Sequence, residues 1–189
     1  MDFGCCGSGA FLDDAVDALA GFFYYDLDGY EVSRGDLEEM HREIQWLRPF
    51  LMDGAKDEEE TQGHAWVVYG YHILAGGSQF LMNMGWGPGT HNLWYSVGSV
   101  PYMYGQGIGV YLAPESAVRF VGPRDFPLPG PRPGSPSNPY LTFESAIIDE
   151  DLPNGTVLIL KAGTEHTFSS YPAVINKPLT LRGHNVSIK

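Results

Sequence analysis

The sequence predicts an α+β domain followed by a short unit of parallel strands. Three observations carry that expectation. Two amphipathic helical stretches come first, between Ser8 and Pro49. Segments rich in β-branched and aromatic residues follow, separated by glycine turns. Beyond a stretch dense in proline and glycine, short strands then recur at nearly even spacing. Helices ahead of an antiparallel meander are an α+β order. Short, evenly spaced strands suggest the first coils of a parallel β-helix.

In chain order, Ser8 is placed to cap a first helix with apolar positions Phe11, Ala15, Leu19, Phe22 and Phe23. Spacings of three and four put these on one face. A second helix opens with Asp36 and Glu39 as a capping box, carries Leu37, Met40, Ile44 and Leu47 as its buried stripe, and stops at Pro49. The acidic run from Asp57 to Glu60 reads as a solvated loop. Strands are then expected over 64–73, 79–83 and 92–97. The first domain therefore spans 1–121.

Residues 122–137 contain prolines too closely spaced for either a helix or a central strand, and read as a semi-rigid linker. The distal unit, 138–189, has an amphipathic segment over 140–148 and a turn at Pro153-Asn154-Gly155. Strands are expected over 156–160, 173–175, 179–181 and 186–188. Coils of this kind bury their apolar face only by stacking, so Lys189 reads as a truncation point.

Composition excludes several function classes. With 11 Lys and Arg against 23 Asp and Glu, the net charge is −12. Nucleic-acid binding needs clustered basic groups, and an anionic membrane surface would repel this chain. No apolar run reaches the roughly 18 residues of a membrane-spanning helix. No signal peptide is visible in the opening Met1-Asp2-Phe3-Gly4-Cys5-Cys6. The two cysteines are adjacent, so they cannot form a disulfide framework and read as free thiols. His72, His91, His166 and His184 lack metal-ligand spacing, and no metal or cofactor is expected. Gly105, Gly107 and Gly109 form only a partial dinucleotide pattern without its strand and helix.

The segment that carries chemistry is Gly63-His64-Ala65-Trp66-Val67-Val68-Tyr69-Gly70-Tyr71. A glycine ahead of the histidine lets a substrate backbone come close, while the strand fixes the imidazole and its neighbours exclude water. Asn83-Met84-Gly85-Trp86-Gly87 follows on the next strand. Asn83 is expected to accept a hydrogen bond from one nitrogen of His64, leaving the other for a nucleophile. Trp86 is expected to cover that bond. A lone histidine on an apolar strand is usually a packed residue. The two motifs in this order are far more specific.

Over residues 1 to about 99 the chain resembles streptopain-like peptidases, which have the papain fold. Those proteins carry Gly-His-Ala-Phe-Val-x-x-Gly-Tyr, then Asn-Trp-Gly-Trp-Gly-Gly. Ahead of both, at the same distance from the histidine, they have Met-Asp-Tyr-Gly and a Gly/Ser-rich loop, matched here by Met1-Asp2-Phe3-Gly4 and Gly7-Ser8-Gly9-Ala10. The resemblance implies the C-terminal half of a papain-like cysteine peptidase fold. It puts His64 on the general base, Asn83 on its orienting residue and Trp86 on the second tryptophan of the turn. Gly63, Ser8 and Gly9 fall where the family's backbone lines the substrate cleft. Met84 and Pro88 depart from the pattern, replacing the first tryptophan and the last glycine.

The family's nucleophilic cysteine lies upstream of Met-Asp-Tyr-Gly, so it is expected outside this chain, and the chain alone is expected to be inactive. Cys6-Gly7-Ser8-Gly9-Ala10-Phe11 is similar to the surround of the papain nucleophile, but in that register Gly9 occupies the cysteine position. The interval from Cys6 to His64 is also less than half the roughly 130–150 residues usual there. The implied activity is cysteine-type endoproteolysis of a protein or peptide substrate, in a secreted or cell-surface protein. The distal unit resembles the N-terminal coil of pectate-lyase-like, right-handed β-helix proteins, through Asn138-Pro139-Tyr140 and Asn154-Gly155-Thr156-Val157. That similarity implies a polysaccharide partner. The alternative reading is a non-catalytic adhesive or carbohydrate-binding surface protein with a degenerate peptidase unit.

Overall fold

The computed structural model describes residues 2–4, 7–23, 25, 30–33, 36–59, 62–87, 93–113, 118–123, 134, 138–168, 175 and 178–189, without the side chains of 2–4, 7–9 and 30–33. In chain order the first part comprises β1 (Asp2–Gly4), β2 (Gly7–Gly9), α1 (Leu12–Phe22), β3 (Tyr30–Ser33), α2 (Leu37–Gln45), β4 (Phe50–Ala55), β5 (Gly63–Leu74), β6 (Gly77–Asn83), β7 (Leu93–Tyr95) and β8 (Tyr104–Val110). β1 and β2 form a small antiparallel pair. The remaining strands make a six-stranded antiparallel sheet in the order β3-β8-β4-β5-β6-β7. An α+β architecture with an antiparallel sheet after two helices is consistent with a papain-like C-terminal lobe.

Strand alternation decides which residues share a face. Phe50 pairs with Val68, Met52 with Trp66 and Gly54 with His64, so these six share one face. Phe50, Met52, Trp66, Val68, Phe80, Met82 and Met84 are buried in one cluster with Met40 of α2. His41 of the same helix stacks on Phe80 at 5.2 Å. Burial disfavours its charged form and lowers its pKa.

α1 differs from its sequence expectation in phase and in cap. Ser8 lies in β2 opposite Phe3, and Phe11 precedes the helix without any side-chain cap. Leu12 and Val16 are buried, while Phe11, Phe22 and Phe23 are exposed. The choice is made by Gly109 of β8. A Cβ there would lie 2.8 Å from Val16 and 3.7 Å from Leu12, so the bare glycine seats the Leu12 and Val16 side of the helix.

α2 begins as expected, with Asp36 accepting the Glu39 N–H at 2.9 Å. The Glu39 carboxylate instead takes Arg42, at 2.7 Å, and is itself buried. The helix ends in a Schellman motif before Pro49 is reached: Leu47 is left-handed at φ 56, Leu47 N–H binds Ile44 O, and Arg48 N–H binds Glu43 O. Leu37 and Leu47, expected in the buried stripe, are exposed. The reversal swings Arg48 back onto Glu43, where such turns often hold an apolar contact. The resulting ion pair is completely buried.

The distal part comprises β9 (Val118–Val121), α3 (Phe143–Ile147), β10 (Val157–Leu160), β11 (Glu165–His166), β12 (Thr180–Arg182) and β13 (Ser187–Ile188). β12, β10 and β9 form a three-stranded parallel sheet, and β11 pairs in parallel with β13. β9 precedes the boundary expected at 121, yet it pairs with β10 and belongs structurally with the distal strands. Phe120 and Ile159 pack with Trp46 and Ala113, and Ala162 N–H binds Gln45 O at 3.0 Å, so the two parts meet at the end of α2. Most of the proline-rich stretch and residues 173–174 of the strand expected at 173–175 lie outside the described residues.

Candidate active site

His64 stands near the start of β5 on the core face of the sheet, half-buried. Its Nε2 lies 2.7 Å from the carbonyl oxygen of Met84. A carbonyl only accepts, so Nε2 carries a proton, and in the neutral ring Nδ1 is the nitrogen with the lone pair. Three rings crowd the imidazole. Trp86 is stacked at 5.5 Å, Tyr102 tilted at 5.0 Å and Trp66 stacked at 6.2 Å, measured between centroids. Trp86 is partly open to solvent at 44% exposure, so the site has an accessible side.

The partner of His64 differs from the sequence expectation. Asn83 pairs with Val67, three residues from His64 with no bulge between them, so its side chain leaves the sheet on the opposite face. Its Oδ1 accepts the Gly85 N–H at 2.9 Å. Asn83 thus closes the turn that presents the Met84 carbonyl and Trp86, and does not itself touch the imidazole. Gly85 and Gly87 in this turn have φ of 73° and 98°, which glycine adopts without the Cβ penalty.

The other expected site residues lie as follows. Gly63 is exposed, and a Cβ there would meet only Gly54 O at 3.8 Å, so space on that side is open. Ser8 and Gly9 lie in the β1–β2 pair, opposite Phe3 and Asp2. Cys5 and Cys6 fall outside the described residues, as do Pro88 and His91. His72, eight residues along β5 from His64, stacks on Trp94 of β7 at 4.0 Å and contacts Gln79 of β6 at 2.8 Å. No group of His, Cys, Asp or Glu among the described residues is arranged to hold a metal ion.

Sequence reading missed Tyr102, Gly54 and Gln106. The β4–β8 pairing shifts between Asp53 and Ala55, where Gly105 adopts φ 56, a bulge geometry that re-aims the chain. Of the glycines dismissed as an incomplete nucleotide motif, Gly105 makes this bulge and Gly109 seats α1. The signal available in the sequence was Gly105-Gln106-Gly107 itself, since a glycine inside a strand often marks a bulge.

A cavity of about 350 Å³ opens on the other face of the sheet, lined by Leu19, Leu51, Val67, Phe120 and Ile159 among others. Its lining is mostly apolar, and the Arg48 in its wall is already bound to Glu43. The chemistry is at His64.

The Peptidase C10 family model matches residues 1–95, half of the chain. The chain belongs to the Peptidase C10 family. The match takes in β1 through β7, both helices, His64, Asn83 and Trp86, and corresponds to the streptopain-like resemblance. Tyr102 and Gln106 lie beyond the Peptidase C10 match. A comparison with curated proteins gives no match. Among the described residues, no helix is long and apolar enough to cross a membrane.

Proposed function

We propose that the chain is part of a cysteine-type endopeptidase in which His64 is the general base and acid. The observation that carries this reading is the His64 Nε2–Met84 O bond within an aromatic surround, inside the segment matched by the Peptidase C10 family. With Nε2–H held by a carbonyl, Nδ1 faces the reaction. It removes the thiol proton of a cysteine, and the thiolate sulfur bonds to the substrate carbonyl carbon while that carbonyl's electron pair moves to oxygen. Collapse breaks the C–N bond, and the amine departs with the proton from Nδ1. Water then gives a proton to Nδ1 as its oxygen bonds to the thioester carbon. The C–S bond breaks and the thiolate returns. Met84 O accepts from Nε2 throughout, which steadies the imidazolium.

The nucleophile in this reading is a cysteine ahead of the Met1-Asp2-Phe3-Gly4 stretch, where the resemblance puts it. Asn83 supports the site through its turn, Trp86 covers the imidazole, and Gly63, Ser8 and Gly9 contribute to the substrate cleft. The substrate class is protein or peptide, and the setting is secreted or cell-surface. The parallel pairs β9–β10–β12 and β11–β13 support a right-handed β-helix whose first coils begin here, with polysaccharide as its partner class.

A thiol-directed peptidyl inhibitor tests the reading on the protein that includes the upstream cysteine. Labelling of that cysteine, lost in His64→Ala, supports it. Absence of labelling in the unmutated protein would favour the non-catalytic adhesive or carbohydrate-binding alternative, for which Met84 in place of the family's tryptophan is the motivating feature. Labelling at Cys6, lost in Cys6→Ser, would instead place the nucleophile within this chain.

A further inference from the structure

We propose that Tyr102 is a positioning residue for His64, clamping the imidazole so that Nδ1 keeps one direction. The proposal rests on the reading of His64 as the general base. One hydrogen bond from Nε2 fixes a single point of the ring and leaves it free to tilt about that point. Flat neighbours must remove the tilt. Tyr102 is the nearest of the three, at 5.0 Å, and its ring also lies 6.2 Å from Trp86 and 6.4 Å from Trp66, so the three rings support one another.

Tyr102 is itself held by its main chain, independently of the imidazole. Its carbonyl accepts from Gln106 Nε2 at 2.9 Å, and the same nitrogen donates to Val97 O at 3.2 Å, which ties together both ends of the 97–102 segment. Gln106 is buried at 4% exposure. The Tyr102 carbonyl closes over Gly54, where a Cβ would stand 2.4 Å from that oxygen and 2.9 Å from Gln106 Cγ. Gly54 is the residue directly opposite His64 in the β4–β5 pairing. The strand beside the imidazole is thus left bare at that one position, and the Tyr102 backbone fills the space. The Gly105 bulge turns the chain so that it can do so.

The test is nitrogen-15 NMR of the His64 imidazole in the full 189-residue chain. It reads the tautomer and the solvent exchange rate of Nε2–H, neither of which a purely structural tyrosine would control. The unmutated protein should show a protonated, slowly exchanging Nε2. Tyr102→Phe, which keeps the ring, should match it. Tyr102→Ala should raise the exchange rate about tenfold or more and mix the tautomers. Tyr102→Leu, which keeps apolar bulk without a flat ring, should do the same and serves if the alanine variant fails to fold. Unchanged tautomer and exchange in a folded Ala or Leu variant overturns the proposal while leaving the general-base reading intact. A protonated Nδ1 in the unmutated protein overturns that reading, and this inference with it.

Discussion

The ion pair between Glu43 and Arg48 gives the sharpest energetic prediction. The two side chains are 0% and 2% exposed. Arg48 donates from Nε to Glu43 Oε2 at 2.9 Å and from Nη2 to Oε1, while the Tyr111 N–H reaches Oε2 at 3.2 Å. The guanidinium also lies 4.9 Å over Phe120 and 5.7 Å over Trp46. Removing either partner leaves an uncompensated buried charge, so Glu43→Leu and Arg48→Met should each cost about 3–5 kcal/mol. That is a large part of the roughly 5–15 kcal/mol that holds a domain together. Removing both leaves only the Tyr111 N–H without its acceptor, worth about 1–3 kcal/mol. The double variant should therefore be no less stable than either single one, with a coupling energy above about 2 kcal/mol. Urea unfolding followed by tryptophan fluorescence measures this, with Trp46 reporting from beside the pair. Single costs below about 1 kcal/mol, or a double cost equal to the sum, would refute the reasoning.

Two further outcomes follow from neighbouring groups. Burial, opposed by Arg42 and aided by Glu43, pushes the Glu39 carboxyl from 4.5 up to about 7. The folded state then holds a proton that the unfolded chain releases, so this group's contribution to stability falls as pH rises from about 4.5 to 7. Glu39→Gln should remove that slope, gaining on the unmutated protein by on the order of 2 kcal/mol between pH 5 and 8. His41 and His166, both lowered by burial, act with the opposite sign and cancel in the comparison. A difference that does not change with pH would contradict the assignment. Separately, Asn83→Ala should cost about 1 kcal/mol in urea unfolding through loss of the Gly85 N–H acceptor. It should also lower proteolysis only about tenfold, since Met84 O rather than Asn83 holds the imidazole. A loss as large as that of His64→Ala would make Asn83 the direct partner.

The elements with strong periodicity were legible in the sequence: β5, β6 and β7, α1 and α2, and of the distal strands β10, β12 and β13 fall close to their expected positions, while β9 and β11 were not expected. What local pattern could not decide was phase. Phe11, Phe22 and Phe23 match a helical stripe as well as Leu12 and Val16 do, and only the bare backbone of Gly109 on a distant strand selects the second set. Likewise, the burial of Glu39 and Glu43 leaves no mark in the helix pattern, because it depends on Arg42 and Arg48 folded back onto them. At the site, the Gly-His-Ala and Asn-x-Gly-Trp-Gly motifs single out His64 and Trp86, whose rings stack at 5.5 Å. The atom that touches the imidazole was hidden because it belongs to the main chain, and a carbonyl leaves no mark in the identity of Met84. Tyr102 was hidden for a similar reason: its place depends on the bulge at Gly105 and on the bare Gly54 of a different strand.

The most direct measurement is the rate of casein hydrolysis by the protein together with its upstream cysteine, compared with its His64→Ala variant. Loss of the imidazole that activates the thiol and protonates the leaving amine should lower kcat/KM by about 10²–10⁴-fold, with the fold of the variant unchanged. Equal rates in the two proteins would mean that the proton on Nε2 and the free Nδ1 of His64 have no part in the chemistry.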